Sequence, residues 1–381
     1  MFEFLFGPAA TALAIASLLI LAANIVMIRR LDGGAPGDEA EGPDGGLISV
    51  IIPARNEATG IVECVERALA QGGVDIEVIV VDDRSEDDTL VRAASIGDDR
   101  LTVVAGTPLP DGWTGKNWAC HQGVARAHGD RLCFVDADTR LEPSAIAGAA
   151  QVLQAEHAEL VSCLVAADYR TTAQAVLLPM VNHAMLALFP VGAMHSPHMP
   201  RVALALGPFM LVERDAYERV GGHALRSSEV VDDVGLCRAI KTTGGRVRIA
   251  NGTSVARTRW YPDTRGIWNG FSKNAFGALD SNYAVAMLTC FVLVPLLVAP
   301  FVRLPIGLTT DGVPTEVWVQ VALFLLARLV SAAAGRDPMW TIPFHPVTVT
   351  FWGATLLRST WLSNRDRSVS WRGRAVRVAN R

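Results

Sequence analysis

Residues 47–57 read LISVIIPARNE, a run of apolar residues that gives way to Pro53, Arg55, Asn56 and Glu57. Apolar side chains at successive rather than alternate positions predict a parallel strand buried on both faces. The pattern repeats downstream. A helix-like stretch at 60–71 leads to a second apolar strand at 76–81, which ends in Asp82 and Asp83. A third short strand at 101–105 precedes a helix carrying residues 118–127, and a fourth at 131–135 runs into Asp136. Strand and helix alternate, and polar residues gather where strands end. That layout predicts a doubly wound α/β sheet with its site at the strand C-termini.

Upstream, residues 32–46 are rich in Gly, Asp, Glu and Pro and read as a flexible acidic linker. Before it, residues 9–28 carry no charge and are followed at once by Arg29 and Arg30. A helix of about 20 residues crosses a hydrocarbon core roughly 30 Å thick. The basic residues follow the apolar run, and no small-residue cleavage site comes after it, so an uncleaved anchor is expected rather than a signal peptide. Arg29 and Arg30 would keep the downstream chain in the cytoplasm.

Beyond residue 277 come three more apolar runs. They lie at 284–302, at 317–334 (interrupted by Gln320 and Arg328) and at 339–357 (broken by Pro343 and Pro346). The tail after Leu357 holds seven arginines, from Arg358 to Arg381, against Asp366 alone. Four full crossings would leave that tail outside, so the Pro-broken run is expected to be re-entrant or interfacial. The division is therefore an anchor at 1–31, a linker at 32–46, a catalytic-type domain at 47–277, membrane segments at 278–357 and a basic cytoplasmic tail at 358–381. One apolar stretch, 173–194, falls inside the domain. A crossing there would separate Asp136 and Asp138 from Asp232 and Asp233. It reads instead as a membrane-surface or groove-lining helix, with a plain core helix as the alternative.

The composition agrees. Of 381 residues, 50% are hydrophobic and 19% charged, which excludes a disordered chain. A net charge of −4 supplies no positive field for nucleic acid. The six cysteines form no CxxC pair and read as reduced, packed thiols.

Three acidic groups carry the chemistry. In VVDDRSEDDT, Asp82 and Asp83 end a strand, where a carboxylate can accept hydrogen bonds from a ribose or a base; helix capping is the competing reading. In FVDADTRL, Asp136 and Asp138 sit two apart after a buried strand, so both carboxylates point to one place and suit Mg²⁺ or Mn²⁺ with a diphosphate. In SSEVVDDVGLCRAIK, Asp232 and Asp233 open a helix whose dipole favours the ionised form of a base. Two further segments are cationic. PDGWTGKNWACHQG places Lys116 after two glycines, and ARTRWYPDTRGIWNGFSKN interleaves Arg257, Arg259, Arg265 and Lys273 with Trp260, Trp268 and Phe271. The latter set can clamp a leaving diphosphate or lie along headgroups. The pair His195 and His198 lacks a third ligand and reads as structural.

Taken in order, VIIPARNE, VVDDRSEDDT, WTGKNWACHQG, FVDADTRL and VVDDVGLCRAIK resemble the family 2 glycosyltransferases of the GT-A fold, over residues 47–274. WTGK, GFSKN and the terminal WRGR resemble the membrane-bound branch that includes hopanoid-associated and carotenoid glycosyltransferases. The resemblance implies a GT-A, Rossmann-like domain between membrane segments. It further implies that Pro53, Ala54, Glu57, Asp82, Asp83, Lys116 and Asp136 surround a nucleotide-diphosphate sugar, with Asp83 on the base. Asp136 and Asp138 would hold the metal, and Asp233 would be the catalytic base. Asp232 stands where Glu is usual and, with Arg257, Arg259 and Trp260, is expected near the diphosphate and acceptor. Chain-extending synthases of the family carry QxxRW. Here Arg259 and Trp260 are present, but Ala256 takes the Gln position. The expected activity is transfer of one sugar to a lipid-like acceptor at the cytoplasmic membrane. A polysaccharide synthase and an inactive membrane scaffold are the alternatives.

Overall fold

The computed structural model describes residues 2–31, 46–310, 312–365, 368–371 and 374–377. Residues 32–45 of the expected linker (32–46) lie outside the described residues, as do Arg367, Arg372 and Arg381 of the basic tail.

The chain opens with a long helix, α1 (Phe2–Met27), and a two-residue strand, β1 (Arg29–Arg30). The catalytic-type domain comes next: β2 (Ile48–Ala54), α2 (Ile61–Leu69), β3 (Ile76–Asp82), α3 (Thr89–Ala94), β4 (Leu101–Ala105), α4 (Gly115–Val124), β5 (Arg131–Val135), β6 (Thr139–Leu141), α5 (Ala145–Ala155), β7 (Leu160–Leu164) and β8 (Ala166–Ala167). It continues with α6 (Thr172–Leu177), α7 (Pro179–Ala187), α8 (Val191–His195), β9 (Phe209–Glu213), α9 (Arg214–Arg219), α10 (Asp232–Thr242), β10 (Val247–Asn251), β11 (Ala256–Thr258) and α11 (Thr264–Asn274).

Eight strands form the main sheet in the order β1-β10-β7-β9-β5-β2-β3-β4. All neighbours are parallel except β9, which runs antiparallel to both β5 and β7. Val50, Ile52, Val78 and Val80 share one buried cluster on one face of the central strands, while Ile51, Leu132 and Met210 enter a second on the other. Burial on both faces is why these strands read as continuous apolar runs. A small sheet, β6-β11-β8, sits beside the strand ends. Where strands crowd a turn, glycine is required. A Cβ on Gly129 would collide with the carbonyl oxygen of Leu47 and lie 2.7 Å from the Ser49 nitrogen. Gly129→Ala is therefore expected to destabilise the domain by about 1–3 kcal/mol, read as a lower unfolding midpoint in detergent. An unchanged midpoint would remove this constraint on the turn.

The anchor is joined to the sheet directly. Arg29 and Arg30 pair in register with Ala250 and Asn251 of β10, and the Leu31 N–H donates to the Asn251 carbonyl at 2.9 Å. The acidic segment thus comes after the anchor has docked, as a connection from β1 to β2.

The remaining helices are α12 (Tyr283–Leu288), which continues through a π turn at Thr289–Leu293 into α13 (Val294–Thr309), then α14 (Thr315–Gly335) and α15 (His345–Asn364). A 3₁₀ turn at Met339–Phe344 precedes α15. Among the described residues, three helical stretches are long and apolar enough to cross a membrane: Gly7–Met27, Tyr283–Thr309 and Thr315–Gly335. The Pro-containing run at 339–357 is not among them; the helix it leads into, α15, carries His345, Thr348, Thr355, Ser359 and Thr360 and buries all five.

The stretch 173–194 departs from a single surface helix. Pro179 and Pro190 divide it into α6, α7 and α8, and most of it is buried between the domain and the apolar helices. The Asn24 side chain on α1 donates to the Leu186 and Phe189 carbonyls at 2.9 and 2.7 Å and accepts from the Val191 N–H at 3.0 Å. The core-helix alternative describes it better. All six cysteines are buried and unpaired, and the His195 ring accepts from the Ile249 N–H at 2.9 Å, a packing role.

Candidate active site

The C-terminal ends of β2, β3 and β5 open into a cavity of about 310 Å³. Each wall comes from a different segment. The end of β2 supplies Pro53, Ala54, Arg55 and Glu57, and the turn after β3 supplies Asp83. Two loops here are laced together. Asn56, at φ 52°, accepts from the Glu86 N–H at 2.8 Å, and its own N–H donates to the Ser85 hydroxyl. Arg55 donates to the carbonyls of Asp83 and Arg84 at 2.8 and 2.6 Å. Asp82, unlike Asp83, does not line the cavity. It is buried, accepts from the Ser85 N–H at 3.0 Å and shapes the turn that presents Asp83.

Lys116 enters from the first turn of α4, whose N-cap is Thr114. Its ammonium lies 2.8 Å from Asp136 Oδ1. Burial opposes its charge, but Asp136 and Asp232 outweigh that and hold its pKa well above the ordinary lysine value. Asp136 and Asp138 both line the cavity, as their spacing predicts. The Thr258 hydroxyl on β11 donates to Asp138 Oδ1 at 3.1 Å.

Asp232 and Asp233 open α10 within the same cavity. Asn117 holds the preceding loop. Its buried amide donates to the carbonyls of Arg226 and Glu229 at 2.6 and 2.9 Å. Asp233 accepts from the Gly207 N–H at 2.7 Å and the Val234 N–H at 2.8 Å. A Cβ on Gly207 would sit 2.9 Å from Lys116 Nζ and 3.2 Å from Asp233 Oδ2, so a side chain at this crossing point would have to displace the Lys116 ammonium. The two aspartates part company electrostatically. Burial works against ionisation of Asp232, but Lys116 and His223 (ring 3.6 Å away) hold its carboxyl well below the usual range. Burial pushes Asp233 the other way, and the charge of Asp232 pushes it further up. The helix start alone predicts a low pKa for both. For Asp233 that expectation fails, because desolvation and a like charge exceed the dipole.

Part of the cavity wall is apolar: Val181 of α7, Leu206, Trp260, Tyr261 and Phe271. Lys273 at the end of α11 also lines it, with its pKa pushed down to about 8 by burial and then by the Lys116 charge. An aromatic seam leads away from this wall, since the Phe271 ring lies 4.0 Å from that of Trp352 on α15.

The basic cluster divides. Trp260 lines the cavity, and Arg259 lines an adjoining one of about 320 Å³ that shares Glu57, Asp138, Trp260 and Tyr261 with the first. Arg257 joins neither. Alternation along β11 buries Ala256 and Thr258 and turns Arg257 outward. Sequence reading passes over Gly207, Leu206, Val181, Tyr261 and the loop-holding role of Asn117. Only Gly207 leaves a signal, as the Gly-Pro pair that precedes β9.

Residues 49–221 match the family model described as Glycosyl transferase family 2. Two Staphylococcus aureus proteins, each named 4,4'-diaponeurosporenoate glycosyltransferase, are similar along most of their length. The one from strain MRSA252 is 25% identical over 350 residues, covering 87% of this chain and 88% of that protein. The one from strain USA300 is 24% identical over 345 residues with the same coverage. Among solved structures, a mannosyltransferase from Pyrobaculum calidifontis, in complex with GDP-Man and Mn²⁺, superposes with a TM-score of 0.52 at 18% identity. That match covers 93% of this chain and 97% of the other, and it speaks to the fold. The chain thus carries a family 2 glycosyltransferase domain over residues 49–221, on a GT-A-like α/β fold flanked by apolar helices long enough to span a membrane.

Proposed function

We propose that this enzyme moves one sugar, with inversion, from a nucleotide-diphosphate sugar to a membrane lipid or isoprenoid acceptor. The observation that carries the reading is the mixed lining of one cavity, which gathers Asp136, Asp138 and Asp233 together with Val181, Leu206, Trp260, Tyr261 and Phe271. Pro53, Ala54, Glu57 and Asp83 are assigned to the nucleotide, with Asp83 accepting hydrogen bonds from the base. The names of the Staphylococcus relatives, which cite a carotenoid-type acceptor, support an apolar substrate.

The lining sets Glu57, Asp83, Asp136, Asp138, Asp232 and Asp233 against Arg55, Lys116 and Lys273. A diphosphate enters such a carboxylate-rich space only with added positive charge. Asp136 and Asp138 offer hard oxygen donors that fit Mg²⁺ or Mn²⁺. No group of three or more His, Cys, Asp or Glu side chains is gathered for a metal among the described residues. A cation held by the two aspartates would therefore take the rest of its shell from the diphosphate and water. Bound there, it would neutralise charge gathering on the leaving group.

The protein's own groups do the rest. Asp233 takes the proton from the acceptor oxygen as that oxygen attacks the anomeric carbon, and the bond to the diphosphate breaks on the opposite face. The Gly207 N–H fixes the carboxylate, while Lys116 and Lys273 sit close enough to balance the departing charge. Arg29 and Arg30 at the end of α1 favour a cytoplasmic catalytic domain, and six reduced thiols fit that side.

Because Asp233 is raised, its active, ionised form is lost on acidification well above the pH at which an ordinary carboxylate, near 4, would protonate. Activity is expected to fall as pH drops below neutrality, and Asp232→Asn, which removes the like charge, should move that limb to lower pH. A profile of kcat/KM against pH with its acid limb near 4, unmoved by Asp232→Asn, would contradict the assignment. The acceptor class itself is tested by comparing lipid masses in cells with and without the protein. A lipid gaining one hexose supports the proposal, and a polymeric product supports the synthase alternative.

A further inference from the structure

Residues 196–207, between α8 and β9, have no regular structure, yet they are laced along one face of α10. Asp233, Cys237 and Lys241 lie four residues apart on that helix and so share a face. Each grips the segment. Asp233 Oδ2 accepts from the Gly207 N–H at 2.7 Å, the Cys237 thiol points at the Leu204 carbonyl at 3.6 Å, and Lys241 Nζ donates to the Met199 and Val202 carbonyls at 3.0 and 2.5 Å. Lys241 is 3% exposed, an uncommon placement for a lysine. A buried ammonium is thus committed to holding a loop that exposes Met199 (50%) and Val202 (40%) alongside His198 and Arg201, while Phe189, just before α8, is 39% exposed.

That surface adjoins the end of α1. A Cβ on Gly192 would lie 3.0 Å from Met27 Cε, and Val26 and Met27 are themselves exposed. Leu204 and Leu206 pack into the cluster that contains Leu21 and Ile28 of this region and Ala327 of α14. Arg201, next to Val202 in the chain, and Arg30, three residues past the end of α1, are both exposed. Exposed apolar side chains with arginines close by in the chain, next to the end of a membrane-crossing helix, match the headgroup–acyl boundary of a bilayer.

We propose that residues 189–202 form a second membrane-contact element, seated in the interface beside the end of α1 and favouring anionic lipid. This rests on the membrane reading of α1. The same strap ends at Gly207, so its seating also sets the backbone N–H that orients Asp233. Met199→Cys, and Val202→Cys as a second site, would each carry a nitroxide label on the full-length protein in vesicles of phosphatidylcholine and phosphatidylglycerol. Collision with oxygen and with a water-soluble nickel chelate is then compared. Labels at both sites should favour oxygen, as should one at Leu19→Cys on α1, whereas Leu225→Cys, 76% exposed on a short 3₁₀ turn beside α4, should favour the chelate. Labels at 199 and 202 in water, with 19 immersed, overturn this proposal alone. A label at 19 in water overturns the membrane reading with it. Immersion of 225 along with 199 would also count against a local contact.

Discussion

Asp233→Asn is expected to lower kcat by about 10²–10⁴-fold, the usual contribution of a positioned general base. Nucleotide binding should stay within about twofold, because the nucleotide is assigned to other residues and the amide keeps the shape and one of the two oxygens that accept separately from the Gly207 and Val234 N–H groups. Geometry singles the residue out. Asp233 opens α10 at the Gly207 crossing and lines the same cavity as Val181, Leu206, Trp260, Tyr261 and Phe271, so the proposal places the acceptor oxygen beside it. Its raised pKa makes it a stronger base than a solvated aspartate while leaving it ionised above neutral pH. Asp232 cannot substitute, since Lys116 and His223 hold its proton affinity too low. Single-turnover rates at saturating donor, with nucleotide affinity measured in parallel, separate these roles. Full activity in the asparagine variant would remove Asp233 from the mechanism.

The second large effect is expected for Asp138→Ala. Loss of one of two hard donors should reduce Mn²⁺ affinity in the presence of nucleoside diphosphate by tenfold or more, and kcat/KM by about 10³-fold. That corresponds to about 4 kcal/mol, the scale of charge stabilisation at a departing diphosphate. Arg257→Ala provides the contrast. Its outward position on β11 predicts activity within twofold of the parent, although the residue belongs to the same basic stretch as Arg259 and Trp260. Equal losses in both variants would mean that the exposed arginine reaches the substrate after all.

Much of this is legible in the sequence because burial on both faces leaves an unmistakable trace. The four apolar runs ending in Glu57, Asp83, Ala105 and Asp136 can be read as strands, and their ends as a site, without coordinates. The paired aspartates at 136 and 138 are equally plain, since alternation aims both the same way. What escapes is decided by tertiary neighbours. Nothing local marks Arg257 as outward and Trp260 as inward, because β11 is only three residues long and its register is fixed by β6 and β8. Nor does DD at a helix start reveal that one aspartate is depressed and the other raised, which depends on Lys116 and His223 arriving from distant segments. The stretch 173–194 looks like a surface helix because hydrophobicity alone does not distinguish lipid from a protein neighbour. Its prolines, and Asn24 on α1, turn it into three buried pieces.

Transfer of a single sugar from a nucleotide donor to a membrane-dissolved acceptor can be tested without knowing the acceptor in advance. The full-length protein is incubated in vesicles doped with membrane lipid extract, Mn²⁺ and radiolabelled nucleotide sugars, and the labelled product is weighed. The expected product is a discrete lipid heavier by one sugar, formed by the parent and absent with Asp233→Asn. Label appearing in a polymer, or only as free sugar at the same rate in both proteins, would contradict it.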